Sequence, residues 1–167
     1  RRQRQMCIRD SSKGAYVVSD DEETDIVFIA TGSEVNLALE AAKILRESGV
    51  GVRVVSMPSQ ELFLEQDYDY QDSVLPPDCM CYVSIEAGST FGWHRFIGRD
   101  GLAIGLDHFG ASAPYKVLAK EFGFTPEGVI ERIKDHFICS EDDDDCGCGC
   151  GCEDDGCGDC GCDHDHK

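Results

Sequence analysis

The 167-residue chain has no apolar run approaching the roughly 18 residues that a helix needs to cross a bilayer. Its basic amino terminus is not followed by the apolar core of a secretory signal. Neither a membrane anchor nor export is expected, and the expected compartment is cytoplasmic. Positive charge is also scarce, with 15 Lys and Arg against 33 Asp and Glu, a formal net charge of −18 at pH 7. That balance argues against nucleic acid and anionic membrane as partners, because both ask the protein for neutralising cations. The chain lacks any pair of Cys-x-x-Cys elements with a finger-length spacer between them, so the ordinary structural zinc module is not expected. A disulfide scaffold does not suit a reducing compartment.

What is present divides into three pieces, residues 1–11, 12–138 and 139–167. RRQRQMCIRD, the first ten residues, equals the translation of a widely used transposase sequencing adapter, and Ser11 is compatible with the next codon. Residues 1–11 are therefore expected not to pack, and the competing reading, a basic interaction tail, is the weaker one. Between residues 11 and 140 there are 21 acidic residues against ten Lys and Arg, so the body is acidic in its own right. A body of this size is one ordinary domain with enough chain to bury a core.

Four short runs in the body are almost unbroken in apolar character: IVFIA (Ile26 to Ala30), VRVVSM (Val52 to Met57), CYVSI (Cys81 to Ile85) and LAIGL (Leu102 to Leu106). Runs of this kind suit strands covered on both faces, as in a parallel sheet. Between the first two, Val35, Ala38, Ala42 and Leu45 recur at helical spacing, with Ser33 placed to cap the start and Gly49 to end it. Pro114 and Pro126 suit first-turn positions of two later helices, Gly123 separates them, and Thr125 is a cap candidate for the last. The expected class is α/β, a mostly parallel sheet with helices on both faces.

The segment VSIEAGSTFGWHRFIG followed by GLAIGLDHFGASAPYKVLAKEFGFT, residues 83 to 125, resembles the carboxyl-terminal domain of the transketolase family, and the likeness extends from about Lys13 to Phe137. HFGASAPYKVLAKEFGFT is its most specific piece. The pyruvate dehydrogenase β subunit and deoxyxylulose-phosphate synthase share the layout but write this segment differently. The resemblance implies a homodimeric parent that transfers a two-carbon ketol unit between sugar phosphates with thiamine diphosphate and magnesium or calcium. It places the catalytic histidines, the cofactor-activating glutamate and the phosphate-binding arginines in amino-terminal domains for which 167 residues leave no room. No catalytic or cofactor-binding residue is therefore assigned in the body.

Residue types that carry chemistry nevertheless gather after the strands. Asp107 and His108 follow the Leu102 run, and Glu86, Trp93, His94 and Arg95 follow the Cys81 run, which is where α/β folds place sites. Given the resemblance, Trp93, His94 and Arg95 are read as interdomain or dimer contacts. The Thr31–Glu34 turn offers amide groups to an anion, but Glu34 already complements the helix dipole, so a simple capped helix is preferred. Cys79 and Cys81 are read as lone thiols, not ligands.

The last piece, EDDDDCGCGCGCEDDGCGDCGCDHDHK, has no apolar residue other than cysteine and cannot build a core. Cys146, Cys148, Cys150, Cys152, Cys157, Cys160 and Cys162, with His164 and His166, form a candidate ligand set for zinc or copper(I). Alternating Cys-Gly spacing brings soft thiolates together, and glycine lets the backbone wrap an ion. An unfolded acidic tail, or read-through past the domain's normal end, is weighed slightly above metal binding. The function alternatives are a stand-alone α/β binding module with a metal-sequestering tail, and another thiamine diphosphate enzyme such as deoxyxylulose-phosphate synthase.

Overall fold

The computed structural model describes residues 11–137. In chain order the elements are β1 (Tyr16–Ser19), β2 (Ile26–Ala30), α1 (Glu34–Glu47), β3 (Val52–Ser56), α2 (Gln60–Leu64), α3 (Tyr68–Val74), β4 (Cys81–Ile85), α4 (His94–Ile97), β5 (Leu102–Ile104), α5 (Tyr115–Glu121) and α6 (Pro126–Phe137). They form one sheet of order β1-β3-β2-β4-β5. β2 pairs in parallel with both β3 and β4, and β4 with β5, whereas β1 runs antiparallel beside β3.

All five residues of β2 are buried because each face of the strand meets a different layer. Ile26, Phe28 and Ala30 point into a core shared with Ala38, Ala41, Ala42 and Leu45 of α1 and Val129 and Ile133 of α6. Val27 and Ile29 point the other way, against Phe63 of α2, Val74 of α3, and Trp93 and Ile97 around α4. The alanines let α1 lie close to the sheet. The opposite face is filled by rings, with Phe96 6.2 Å from Phe63 and 6.3 Å from Trp93, centroid to centroid.

Helix ends follow the sequence in most places. Gly49 follows the Ser48 cap of α1 with φ +85°, a conformation that a side chain resists. The Thr125 hydroxyl accepts from the Gly128 amide at 3.1 Å and starts α6, in which Pro126 is the first residue. Pro114 stands one residue outside α5 and not in its first turn. Ser33 also departs from expectation. Its own φ and ψ are already helical (−72°, −27°), so its hydroxyl does not reach the α1 amides and instead donates to Glu34 Oε1 at 2.8 Å.

β1 was not among the expected strands, being short, half-exposed and followed by an acidic run. Two aspartates of that run hold it to the sheet. Arg53 makes a two-pronged contact with Asp20, 2.8 Å from each oxygen, and Arg46 donates to Asp21 at 2.6 Å and to Ser19 Oγ at 2.9 Å. The Val52 amide also donates to Asp21, and together with Arg46 it holds that carboxyl below the usual aspartate range.

Burial separates the phenylalanines in a way that unfolding can measure. Phe28 is 0% exposed in the central strand, and Phe28→Ala should cost about 3–5 kcal/mol in urea unfolding. Phe109 is 100% exposed, and Phe109→Ala should leave stability within about 0.5 kcal/mol. Equal losses would contradict the two-layer core.

Candidate functional site

Strand order sets where a site can form. From β2 the chain passes through α1 to β3 on one side, while from β4 it passes to β5 on the other. The connections leaving the carboxyl ends of these neighbouring strands therefore diverge and open a crevice, the place where open α/β sheets receive ligands. Thr31–Glu34 form one lip and Glu86–Gly88 the other.

Both lips carry a carboxylate. Glu34 opens α1, where a negative charge complements the helix dipole. Glu86 follows β4, and its Oε2 is buried without a hydrogen-bond partner. Burial, reinforced by the Glu34 charge, pushes the Glu86 carboxyl above its usual range. Beside the crevice lies an apolar cavity of about 230 Å³, with Glu34, Leu37, Ala87, Leu106, Tyr115 and Phe122 in its wall.

Asp107 ties the loops after β4 and β5 together. Its Oδ1 accepts from Ser89 Oγ at 3.0 Å and from the Thr90 amide at 2.9 Å, and its Oδ2 accepts from Thr90 Oγ1 at 2.6 Å. The Thr90 hydroxyl, the Thr90 amide and the Ser89 hydroxyl, in that order, hold the Asp107 carboxyl low. The loops also meet through backbone, since the Leu106 amide donates to the Gly88 carbonyl at 2.7 Å. A Cβ at Gly105 would stand 2.8 Å from that carbonyl oxygen, so the close approach requires glycine.

This arrangement is a brace and not an acid-base pair. Both oxygens of Asp107 are engaged by Ser89 and Thr90, while His108 Nδ1 lies 2.9 Å from the Phe109 carbonyl and its ring sits 5.2 Å from that of Phe122. Of the three residues read as interface contacts, Trp93 is 5% exposed and belongs to the core, which removes it from that role. Trp93 caps the start of α4, and its indole packs beside Phe96 in the core under that helix. His94 and Arg95 remain exposed. Cys79 and Cys81 are free thiols. The Cys79 thiol donates to the Asp25 carbonyl at 3.4 Å, and burial pushes the Cys81 thiol up. Among the described residues no group of three or more His, Cys, Asp and Glu could hold a metal ion. The candidate ligands Cys146 to Cys162, His164 and His166 lie outside the described residues. Sequence reading named Glu86 only as one of a cluster. Its isolation from donors depends on folding and leaves no mark in the pattern.

A family model described as the transketolase-like carboxyl-terminal domain matches residues 14–125. The chain is 50% identical over 131 residues to a chloroplastic transketolase of Craterostigma plantagineum, covering 77% of this chain and 25% of that protein. It is 50% identical over 122 residues to the transketolase of Aquifex aeolicus, covering 72% and 18%. Among solved structures, a transketolase of Pichia stipitis superposes with a TM-score of 0.72 at 42% identity, covering 77% of this chain and 18% of the other, and one from Leishmania mexicana with 0.71 at 43%. The chain thus spans between 18% and 25% of the length of these curated relatives.

The two carboxylates should respond to pH in opposite ways. The raised Glu86 value means that the folded state loses stability relative to Glu86→Gln as pH climbs from the ordinary glutamate range, about 4.3, through the higher folded value. The lowered Asp107 value means that wild type is more stable than Asp107→Asn above the ordinary aspartate range, about 3.9, and loses that advantage as pH falls through the folded value. Urea unfolding of the three proteins from acid to neutral pH tests both signs. A Glu86→Gln advantage that shrinks as pH rises would contradict the burial of Glu86.

Proposed function

The chain belongs to the family of transketolase-like carboxyl-terminal domains, and from that premise we propose that residues 12–138 serve as the carboxyl-terminal domain of a transketolase. In its whole form this enzyme moves a two-carbon ketol unit between sugar phosphates with thiamine diphosphate. The observation that carries the reading is the match over residues 14–125, which takes in every strand of the sheet and every helix but the last. We further propose that the parent is a homodimer and that the cofactor and its divalent metal belong to its other domains.

The residues in hand do not fit that cofactor. The crevice meets an incoming diphosphate with the carboxyl groups of Glu34 and Glu86, which offer it no donor or cation, and the described residues offer no three-ligand metal cluster. The Asp107 brace likewise fixes loops and leaves no free base. The role proposed for this domain is packing and assembly. No helix among the described residues is long and apolar enough to cross a membrane. Plant relatives are chloroplastic by name, so the cytoplasmic expectation rests on the amino-acid pattern alone.

The purified chain should transfer no ketol unit from xylulose 5-phosphate to ribose 5-phosphate, and should give no binding heat with thiamine diphosphate in calorimetry. Turnover that persists through repeated purification, and that disappears on denaturing this chain, would overturn the assignment of catalysis to other domains.

The carboxyl-terminal cysteines support a second, separate proposal. Seven of the eleven cysteines lie between residues 146 and 162, followed by His164 and His166. We propose that this segment, when reduced, holds more than one zinc or copper(I) ion, since four ligands close a tetrahedral zinc site and thiolates can bridge ions. Protons compete for the same sulfurs, so affinity falls with acid. Zinc titration against a competing chelator should show several equivalents on the full chain and none on a chain cut after Ser140. Equal stoichiometry in the two would remove the segment as a metal site.

A further inference from the structure

The loops at the carboxyl edge of the sheet carry the two most exposed phenylalanines among the described residues. Phe91 is 93% exposed in the loop after β4, and Phe109 is 100% exposed in the loop after β5. Both stand within two residues of the Asp107 brace. The Phe91 amide donates to Ser89 Oγ at 3.2 Å, and Ser89 in turn donates to Asp107. Two loops fastened to each other by four hydrogen bonds and a glycine contact are not slack chain on which rings happen to be exposed. They are a fixed platform that holds two phenylalanines in water. Tyr115, 74% exposed, extends the same edge at the rim of the apolar cavity, which exceeds the volume of about 150 Å³ that accepts benzene.

Large apolar side chains held in water on ordered loops of a folded domain mark a surface that is covered in the assembled state. Glu86 adds polarity to the requirement. Its Oε2 is hidden from solvent and has no donor although the residue as a whole is half-buried, so a donor that reached this oxygen would meet an unsatisfied acceptor. On the parent-enzyme reading, on which this inference rests, we propose that the platform of Phe91, Phe109, Tyr115 and Glu86 is the face that packs against the catalytic portion of the same transketolase polypeptide. The covering surface is apolar and carries a basic side chain in reach of Glu86. Length favours this occupant over a second copy of the domain. The match takes up 77% of this chain but 25% of the Craterostigma protein, and 72% of this chain but 18% of the Aquifex one, so in these relatives the matched segment has a much larger neighbour in the same polypeptide. Charge agrees, because a surface whose named carboxylates are Glu34 and Glu86 repels its own copy.

The test is a chimera in which residues 14–137 replace the corresponding carboxyl-terminal segment of the Aquifex aeolicus transketolase. Its readouts are ketol transfer and the rate of proteolysis at the junction, which follows the population of undocked domain. Phe91→Asp with Phe109→Asp should raise junction cleavage by about tenfold or more, and Glu86→Gln by about two- to threefold, with the domain itself still folded by circular dichroism. Met80→Asp and Tyr68→Asp, at exposed positions off this edge, should leave cleavage unchanged. Unchanged cleavage in the double variant, or faster cleavage in Met80→Asp alone, would overturn the platform. So would an unvaried chimera cut as fast as an unfolded linker. An isolated domain that dimerises in sedimentation through Phe109, and becomes monomeric in Phe109→Asp, would assign the surface to a second copy instead. A docked chimera without turnover would leave the platform standing and overturn the transketolase assignment, so the two can fail separately.

Discussion

Everything in this domain is arranged around a strand that has no exposed residue. β2 sends Ile26, Phe28 and Ala30 into one core and Val27 and Ile29 into another, and it is hydrogen-bonded on both edges to parallel neighbours. A strand so placed must be apolar at every position, and its crossovers must leave on opposite sides. From this follow the two helical layers, the diverging connections and the crevice at the carboxyl edge. A polar residue at Val27 or Phe28 would lack both water and a partner.

That constraint also explains which parts of the fold were legible in the sequence. Three of the four apolar runs, those of β2, β3 and β4, lie inside the sheet, where burial on both faces removes the alternation that a half-exposed strand shows, whereas the fourth, β5, is an edge strand in which only Ile104 is buried. β1 does not announce itself in this way, since its identity depends on partners far along the chain: Arg46 and Arg53 lie 25 and 33 residues from the aspartates they hold. Gly49 and Thr125 could be read because glycine at positive φ and a hydroxyl at a helix start are local requirements. Ser33 departs from its expected capping role for the opposite reason, since its helical backbone angles belong to the β2–α1 turn and not to its own residue type.

The candidate site was legible in position and not in chemistry. Asp107, His108 and Glu86 after strand ends are what sequence reading can find, and they are indeed near the crevice. Their roles rest on hydrogen-bond geometry that composition does not encode. Asp107 spends its charge on Ser89 and Thr90, His108 faces a carbonyl and a ring, and only Glu86 is left without a partner. Trp93 shows the same limit, because its place after a strand suggests a contact surface whereas at the start of α4 it packs into the core with Phe63 and Ile97.

The uneven filling of the two faces has a spectroscopic consequence. Trp93, the one tryptophan of the chain, lies with Phe63 and Phe96 on the face covered by α2, α3 and α4, while the face under α1 and α6 has Phe28 and Phe124 in its buried core but no indole. Intrinsic fluorescence therefore watches one side of the sheet, whereas far-ultraviolet dichroism is weighted toward α1 and α6, the two longest helices. When the two signals move together the layers melt as a unit, and a separation between them reads out which layer lets go of β2 first.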